Sequence, residues 1–147
     1  MAEPQLARLL LAAHRTLAGD LVVELEERGW PDLRASQAAL VLNVDRRFGT
    51  RLTELARRAG VTKQAMMVVV DELEVRGFVR RTPDPEDGRA KVVRLTARGR
   101  TLAAESRRAV AAVEARAKRT LGGRRYESLR ETLDLLLESE EEEENGG

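Results

Sequence analysis

Glycine punctuates this chain. Gly29, Gly49, Gly60, Gly77 and the pair Gly122-Gly123 each follow a stretch whose apolar residues recur at spacings of three and four. That spacing is the period of an amphipathic helix, and glycine readily ends one. The pattern predicts a first helix over 5–28, with Leu6, Leu10, Ala13, Leu17, Leu21 and Leu25 on one face and Pro31 just beyond its stop. Ser36 is placed to cap a second helix, with Leu40, Val41, Val44 and Phe48 on its apolar side. Thr53 would cap a short third helix over 54–59, and Thr62 a fourth running to about Arg76. Thr96 would cap a fifth, with Leu102, Val110, Val113, Ala117 and Leu121 on its face. A sixth follows from about Arg124, carrying Leu129, Leu133, Leu136 and Leu137.

One interval breaks the helical pattern. Residues 78–82 and 91–95 read as paired strands, and Pro83-Asp84-Pro85-Glu86-Asp87-Gly88-Arg89-Ala90 between them is rich in turn formers. A loop of eight residues is too long for a tight hairpin and should protrude. Ahead of it, Ala56 is small where two helices would cross, Gly60 supplies a turn, and Leu55, Val61, Met66, Val69 and Leu73 would pack the pair together. A short helix, a glycine turn and a capped second helix form a helix–turn–helix, the geometry that offers one helix to a DNA major groove. The hairpin that follows makes it a winged helix–turn–helix, and Arg80, Arg81, Arg89, Lys91 and Arg94 crowd that wing.

Composition narrows the function classes. The 147 residues suit one domain with helical extensions. Aromatic residues make up only 3%, so the core must be aliphatic. The absence of cysteine removes disulfides, thiolate nucleophiles, thiol redox sensing and Cys-based zinc sites, and a single His leaves no multi-histidine metal site. No phosphate-cradling glycine loop and no nucleophile–base pair is evident, so an enzyme is not expected and no cofactor is implied. No run of about 18 apolar residues marks a membrane helix. Met1-Ala2-Glu3-Pro4-Gln5 lacks the features of a leader peptide, so a cytoplasmic location is expected. The net charge of +1 conceals an asymmetry: residues 51–100 hold 12 Lys and Arg against 7 Asp and Glu. Six acids lie between Glu138 and Glu144, and without them residues 1–137 hold 26 basic residues against 19 acidic. A basic segment of this kind suits a polyanion partner or a solvated arginine-rich surface.

At this point the chain resembles a known family. Leu52-Thr53-Glu54-Leu55-Ala56, Gly60-Val61-Thr62-Lys63-Gln64-Ala65, Val70-Asp71-Glu72-Leu73-Glu74, Arg76-Gly77-Phe78-Val79 and Pro83-Asp84-Pro85-Glu86-Asp87-Gly88-Arg89, followed by Leu95-Thr96 and Gly99, are similar in kind and order to the MarR family of winged-helix transcription regulators. The resemblance covers roughly residues 34–100. It implies a mainly α fold with a small β-wing, a homodimer held by N- and C-terminal helices, repression at a pseudo-palindromic operator, and release by a small aromatic or phenolic ligand. The corresponding layout is a dimerisation helix over 1–33, the winged helix–turn–helix over 34–100, C-terminal dimerisation helices over 101–137 and an acidic disordered tail over 138–147. The apolar stripes of the flanking helices argue independently for a partner, since isolated amphipathic helices are marginal in water. They could instead fold back on their own domain.

With Thr62 as cap, the fourth helix would expose Lys63, Gln64, Met67, Val68 and Asp71, and turn Ala65, Met66, Val69, Val70 and Leu73 inward. Gln64 suits an adenine edge, and Lys63 a guanine or a phosphate. Met67 and Val68 depart from the polar residues usual in the family. They fit contact with thymine methyl groups, a reader relying on phosphates and shape, or a protein-interaction module that has lost specific DNA binding. Asp87 and Arg89 match the family's Asp-x-Arg wing signature, in which the acid holds the wing and the arginine enters the minor groove. His14, Arg15, Trp30 and Arg34 are the candidate ligand-binding groups, beside plainer roles in packing. The acidic tail is either a solvated run or a competitor for the basic wing.

Overall fold

The computed structural model describes residues 5–145, with side chains as far as Ser139. Of the stretch Met1–Gln5 read for leader features, residues 1–4 lie outside the described residues. The chain divides after Val110 into two units.

In the first unit, α1 (Leu6–Glu27) and α2 (Ala35–Asn43) precede a two-residue strand β1 (Thr50–Arg51). Then come α3 (Leu52–Ala59), α4 (Lys63–Val75), β2 (Val79–Pro83), β3 (Lys91–Leu95) and the start of α5 (Ala97–Leu121). The strands form one antiparallel sheet in the order β1-β3-β2, with Thr50 opposite Val93, Val79 opposite Leu95 and Pro83 opposite Lys91. Proline is tolerated there because β2 is an edge strand.

The core is aliphatic, as the composition requires. Leu25, Leu40, Val41, Leu55, Val70, Leu73, Val79, Val93 and Leu102 are fully buried around one aromatic, Phe78. Trp30 packs against Phe78 at 5.9 Å between ring centres. Thr96 closes the wing onto α5. Its N–H donates to the Phe78 carbonyl (3.0 Å), its hydroxyl to the Gly77 carbonyl (2.6 Å), and its Oγ1 accepts from the Gly99 N–H (3.0 Å) as a helix cap. Gly99 has no alternative: a Cβ there would lie 1.9 Å from the Phe78 carbonyl oxygen.

Several expectations are corrected. The second helix ends at Asn43, not Gly49, because the Asp45 carboxylate captures the N–H groups of Arg47 (2.9 Å) and Phe48 (2.7 Å) in a turn. Those bonds hold the Asp45 carboxyl below the usual carboxylate range. Phe48 therefore leaves the apolar face and is 61% exposed. Neither Ser36 nor Thr53 is a cap. Arg34 is the N-cap of α2, its N–H donating to Gln37 Oε1 (3.0 Å), and α3 starts earlier, at Leu52, after Arg51. Val61 and Ala65 are exposed rather than packed.

In the second unit, Gly122 separates the end of α5 from α6 (Gly123–Asn145). Leu129, Leu135, Leu136 and Leu137 lie exposed on α6. The tail expected to be disordered over 138–147 falls partly outside the described residues. Within them α6 continues to Asn145 rather than stopping near Leu137, consistent with the high helix propensity of glutamate. On α1, Leu6, Leu9, Leu11, Leu17 and Val23 are also exposed. Among the described residues no helix is long and apolar enough to cross a membrane.

Candidate nucleic-acid interface

The reading helix is set by two local devices. Gly60 ends α3 in the left-handed region (φ 65°), which only glycine adopts without strain, and the Val61 N–H returns to the Ala56 carbonyl (3.1 Å). Thr62 then caps α4, its Oγ1 accepting from the Ala65 N–H (3.1 Å). The first turns of α4 present Lys63, Gln64, Met67 and Val68 to solvent, with Met67 41% and Val68 55% exposed. Met66, Val70 and Leu73 anchor the opposite face. Large apolar side chains left in solvent beside a lysine and a glutamine suit a surface that receives a partner.

The same helix carries three acids that would repel DNA, and the fold pairs each of them. Arg81 on β2 binds Asp71 through Nη2 (2.5 Å) and Glu74 through Nη1 (2.8 Å), while its N–H donates to Glu74 Oε2 (3.0 Å). Glu72 is bonded by Arg34 and by Gln37 Nε2 (2.9 Å). Arg81 is thus engaged as a brace between wing and reading helix, a role that residue spacing did not reveal. Arg94, also assigned to the wing's cations, donates to Thr82 Oγ1 (3.0 Å) and to the Arg47 carbonyl (3.1 Å).

Four cations remain available. Lys63, Arg80, Arg89 and Lys91 are exposed and form no ion pair among the described residues. Arg89 sits on the protruding loop, where Asp87 Oδ1 accepts its main-chain N–H (3.1 Å) and the Asp87 carbonyl accepts from Ala90 (3.0 Å). Asp84 at the neck of that loop was missed by the sequence reading. It is buried, with Oδ2 receiving Arg51 Nε (2.7 Å) and Nη2 (2.6 Å), and Oδ1 receiving the Glu86 N–H (2.9 Å). Those bonds, led by the Glu86 N–H, hold its carboxyl below the usual range.

The ligand candidates separate. Trp30 is committed to packing on Phe78. Arg15 is exposed on α1. His14 lines a cleft of about 400 Å³ together with Leu40, Asn43, Leu55, Arg58 and Met66. Arg58 was not anticipated. It bonds Glu54 (2.9 Å) and the Asn43 carbonyl (2.9 Å), and with Arg57 it draws the Glu54 carboxyl down to about 2.

Comparison with known proteins agrees with this geometry. A sequence model of the MarR family matches residues 32–90. The HTH-type transcriptional repressor Rv2887 of Mycobacterium tuberculosis is 39% identical over 88 residues, which are 60% of this chain and 63% of that protein, so the match spans less than two thirds of the repressor's own length. The crystal structure of Rv2887 with salicylic acid is 30% identical, with a TM-score of 0.70 over 91% of this chain and 97% of that one. CouR bound to a 23-mer DNA duplex is 27% identical, with a TM-score of 0.78 over 90% of this chain and 92% of that one. CouR from Rhodococcus jostii RHA1 bound to p-coumaroyl-CoA is 25% identical, with a TM-score of 0.77 over 92% and 95% of the two chains.

Proposed function

The chain belongs to the MarR family, and from that premise we propose that it is a homodimeric transcriptional repressor that binds a pseudo-palindromic operator. In this reading α4 enters the major groove. Gln64 meets an adenine edge, Lys63 a guanine or a phosphate, and Met67 and Val68 pack on thymine methyl groups. Arg80 and Lys91 bind phosphates, and Arg89 enters the adjacent minor groove. The observation that carries the reading is the division of charge on the reading surface. The acids of α4 are neutralised within the fold, while Lys63, Arg80, Arg89 and Lys91 stay free beside an exposed apolar pair.

The exposed leucines of α1 and α6 support self-association, because burying them in a symmetric interface removes apolar surface from water. Two copies would then set their reading helices about one DNA turn apart. The cleft supports release by a small ligand. Its walls are mostly apolar, Arg58 offers an acid a cationic contact and His14 a ring nitrogen for a hydrogen bond, and Met66 and Val69 come from α4 itself. A small aromatic acid or phenol would therefore touch the reading helix directly.

Selection of genomic DNA fragments on the purified protein tests the proposal. The expected result is a recurrent A/T-containing palindrome. Sequence-blind recovery, or none, would favour the second reading, a winged-helix module for protein partners, to which the exposed Met67 and Val68 are equally suited.

A further inference from the structure

Asp84 is an anomaly on a protruding loop. It is an ionised side chain only 8% exposed, at the neck of a segment whose remaining residues face solvent. Its partners explain the burial. Its N–H crosses the neck to the Ala90 carbonyl (2.9 Å), and Oδ1 holds the Glu86 N–H (2.9 Å). Oδ2 receives both Nε and Nη2 of Arg51, from 33 residues earlier in the chain. Arg51 ends β1 opposite Val92 and is also the N-cap residue of α3. Asp84 thus closes the wing loop through its main-chain N–H and, through its carboxylate, ties it to the helix that leads through Gly60 into α4. The carboxylate is buried and fully bonded, while the Arg51 side chain that grips it through two N–H groups is about half exposed (49%).

We infer that Arg51 and Asp84 form a positioning clamp that fixes the wing to the start of α3, so that Arg89, five residues from Asp84, is presented at a set angle to the reading helix. The inference rests on the DNA reading proposed above and deepens it. Asp84 touches no DNA in this scheme and acts only through Arg89. Without the clamp, the loop would have to be ordered at the moment of binding, and affinity would fall by the fraction of time it is misplaced.

Asp84→Asn is the sharpest variant, because it keeps the side chain's size and one acceptor oxygen for the Glu86 N–H while replacing the charged acceptor that holds Arg51 with a neutral amide donor. Two readouts decide the matter. First, hydrogen exchange of the free protein should show the amides of 84–90 exchanging severalfold faster, with the core unchanged. Arg51→Met should reproduce this from the other side of the pair. Unchanged exchange in both variants overturns the clamp, whatever happens to DNA binding. Second, with the genomically selected duplex, Asp84→Asn should lower affinity about tenfold in the wild-type background. It should cost nothing further in an Arg89→Ala background, since the two act as one unit. Equal losses in both backgrounds overturn the positioning role. A wild-type chain that binds no duplex would overturn the DNA reading, a failure distinguishable from an unclamped wing by the exchange data.

Discussion

Gly99 shows how little freedom single positions have here. A methyl group at that position would meet the Phe78 carbonyl at 1.9 Å, and that carbonyl already accepts the Thr96 N–H. The backbone of α5 or of the turn before β2 must move to admit it. Gly99→Ala should therefore destabilise the fold by roughly 2–4 kcal/mol, read as a fall in the denaturant midpoint. A variant as stable as wild type would show that this approach is not close in solution. Arg89 is the opposite case, since its exposed side chain forms no hydrogen bond or ion pair among the described residues. Arg89→Ala should leave thermal stability within about 0.5 kcal/mol. It should lower operator affinity and reduce the salt slope by about 1. An unchanged slope would remove Arg89 from the interface. The contrast with Arg81 marks what spacing could not reveal. Both arginines stand in a basic wing, but only the folded chain brings Asp71 and Glu74 to Arg81.

At the scale of elements, the helix starts at Thr62 and Thr96 were readable, while those expected at Ser36 and Thr53 fall instead at Arg34 and Arg51. Thr62 is the cap that its position after Gly60 announced, and its Oγ1 takes the Ala65 N–H. Thr62→Ala should cost about 1 kcal/mol, because one N-terminal N–H of α4 loses its acceptor. No loss in a chemical denaturation series would mean that water replaces the cap fully. The end of α2 was not readable. Apolar spacing continues to Phe48, but the Asp45 carboxylate competes for the same N–H groups and stops the helix at Asn43. The two-residue β1 carries no periodicity at all and exists because β3 lies beside it. On α3, the Arg57 and Arg58 guanidinium groups hold the Glu54 carboxyl at about 2, below its ordinary 4.5. A carboxyl depressed in the folded state contributes stability above its unfolded value, and that contribution is lost as pH falls from 4.5 toward 2. Glu54→Gln should therefore lose stability less steeply than wild type across that window. Parallel pH profiles would contradict the pairing.

At the scale of the whole molecule, the order of motifs from Leu52 to Gly99 was enough to identify the winged helix–turn–helix, because turn, cap and hairpin signals are local and their sequence is specific. The site was only partly legible. Lys63, Gln64, Met67 and Val68 face solvent as the helical period requires. Asp84 and Arg58 escaped notice because their partners, Arg51 in one case and the cleft in the other, are assembled by packing rather than by spacing. Along the acidic C-terminal run α6 continues to Asn145, although negative charge at a helix C-terminus is unfavourable. The central claim is that this surface reads sequence and does not merely attract polyanions. Fluorescence anisotropy with the selected palindrome and a shuffled duplex of equal composition, titrated at several salt concentrations, tests it most directly. The expected result is a preference for the palindrome of about a thousandfold or more that persists as salt weakens both complexes. Equal affinity for the two duplexes, falling together with salt, would contradict it.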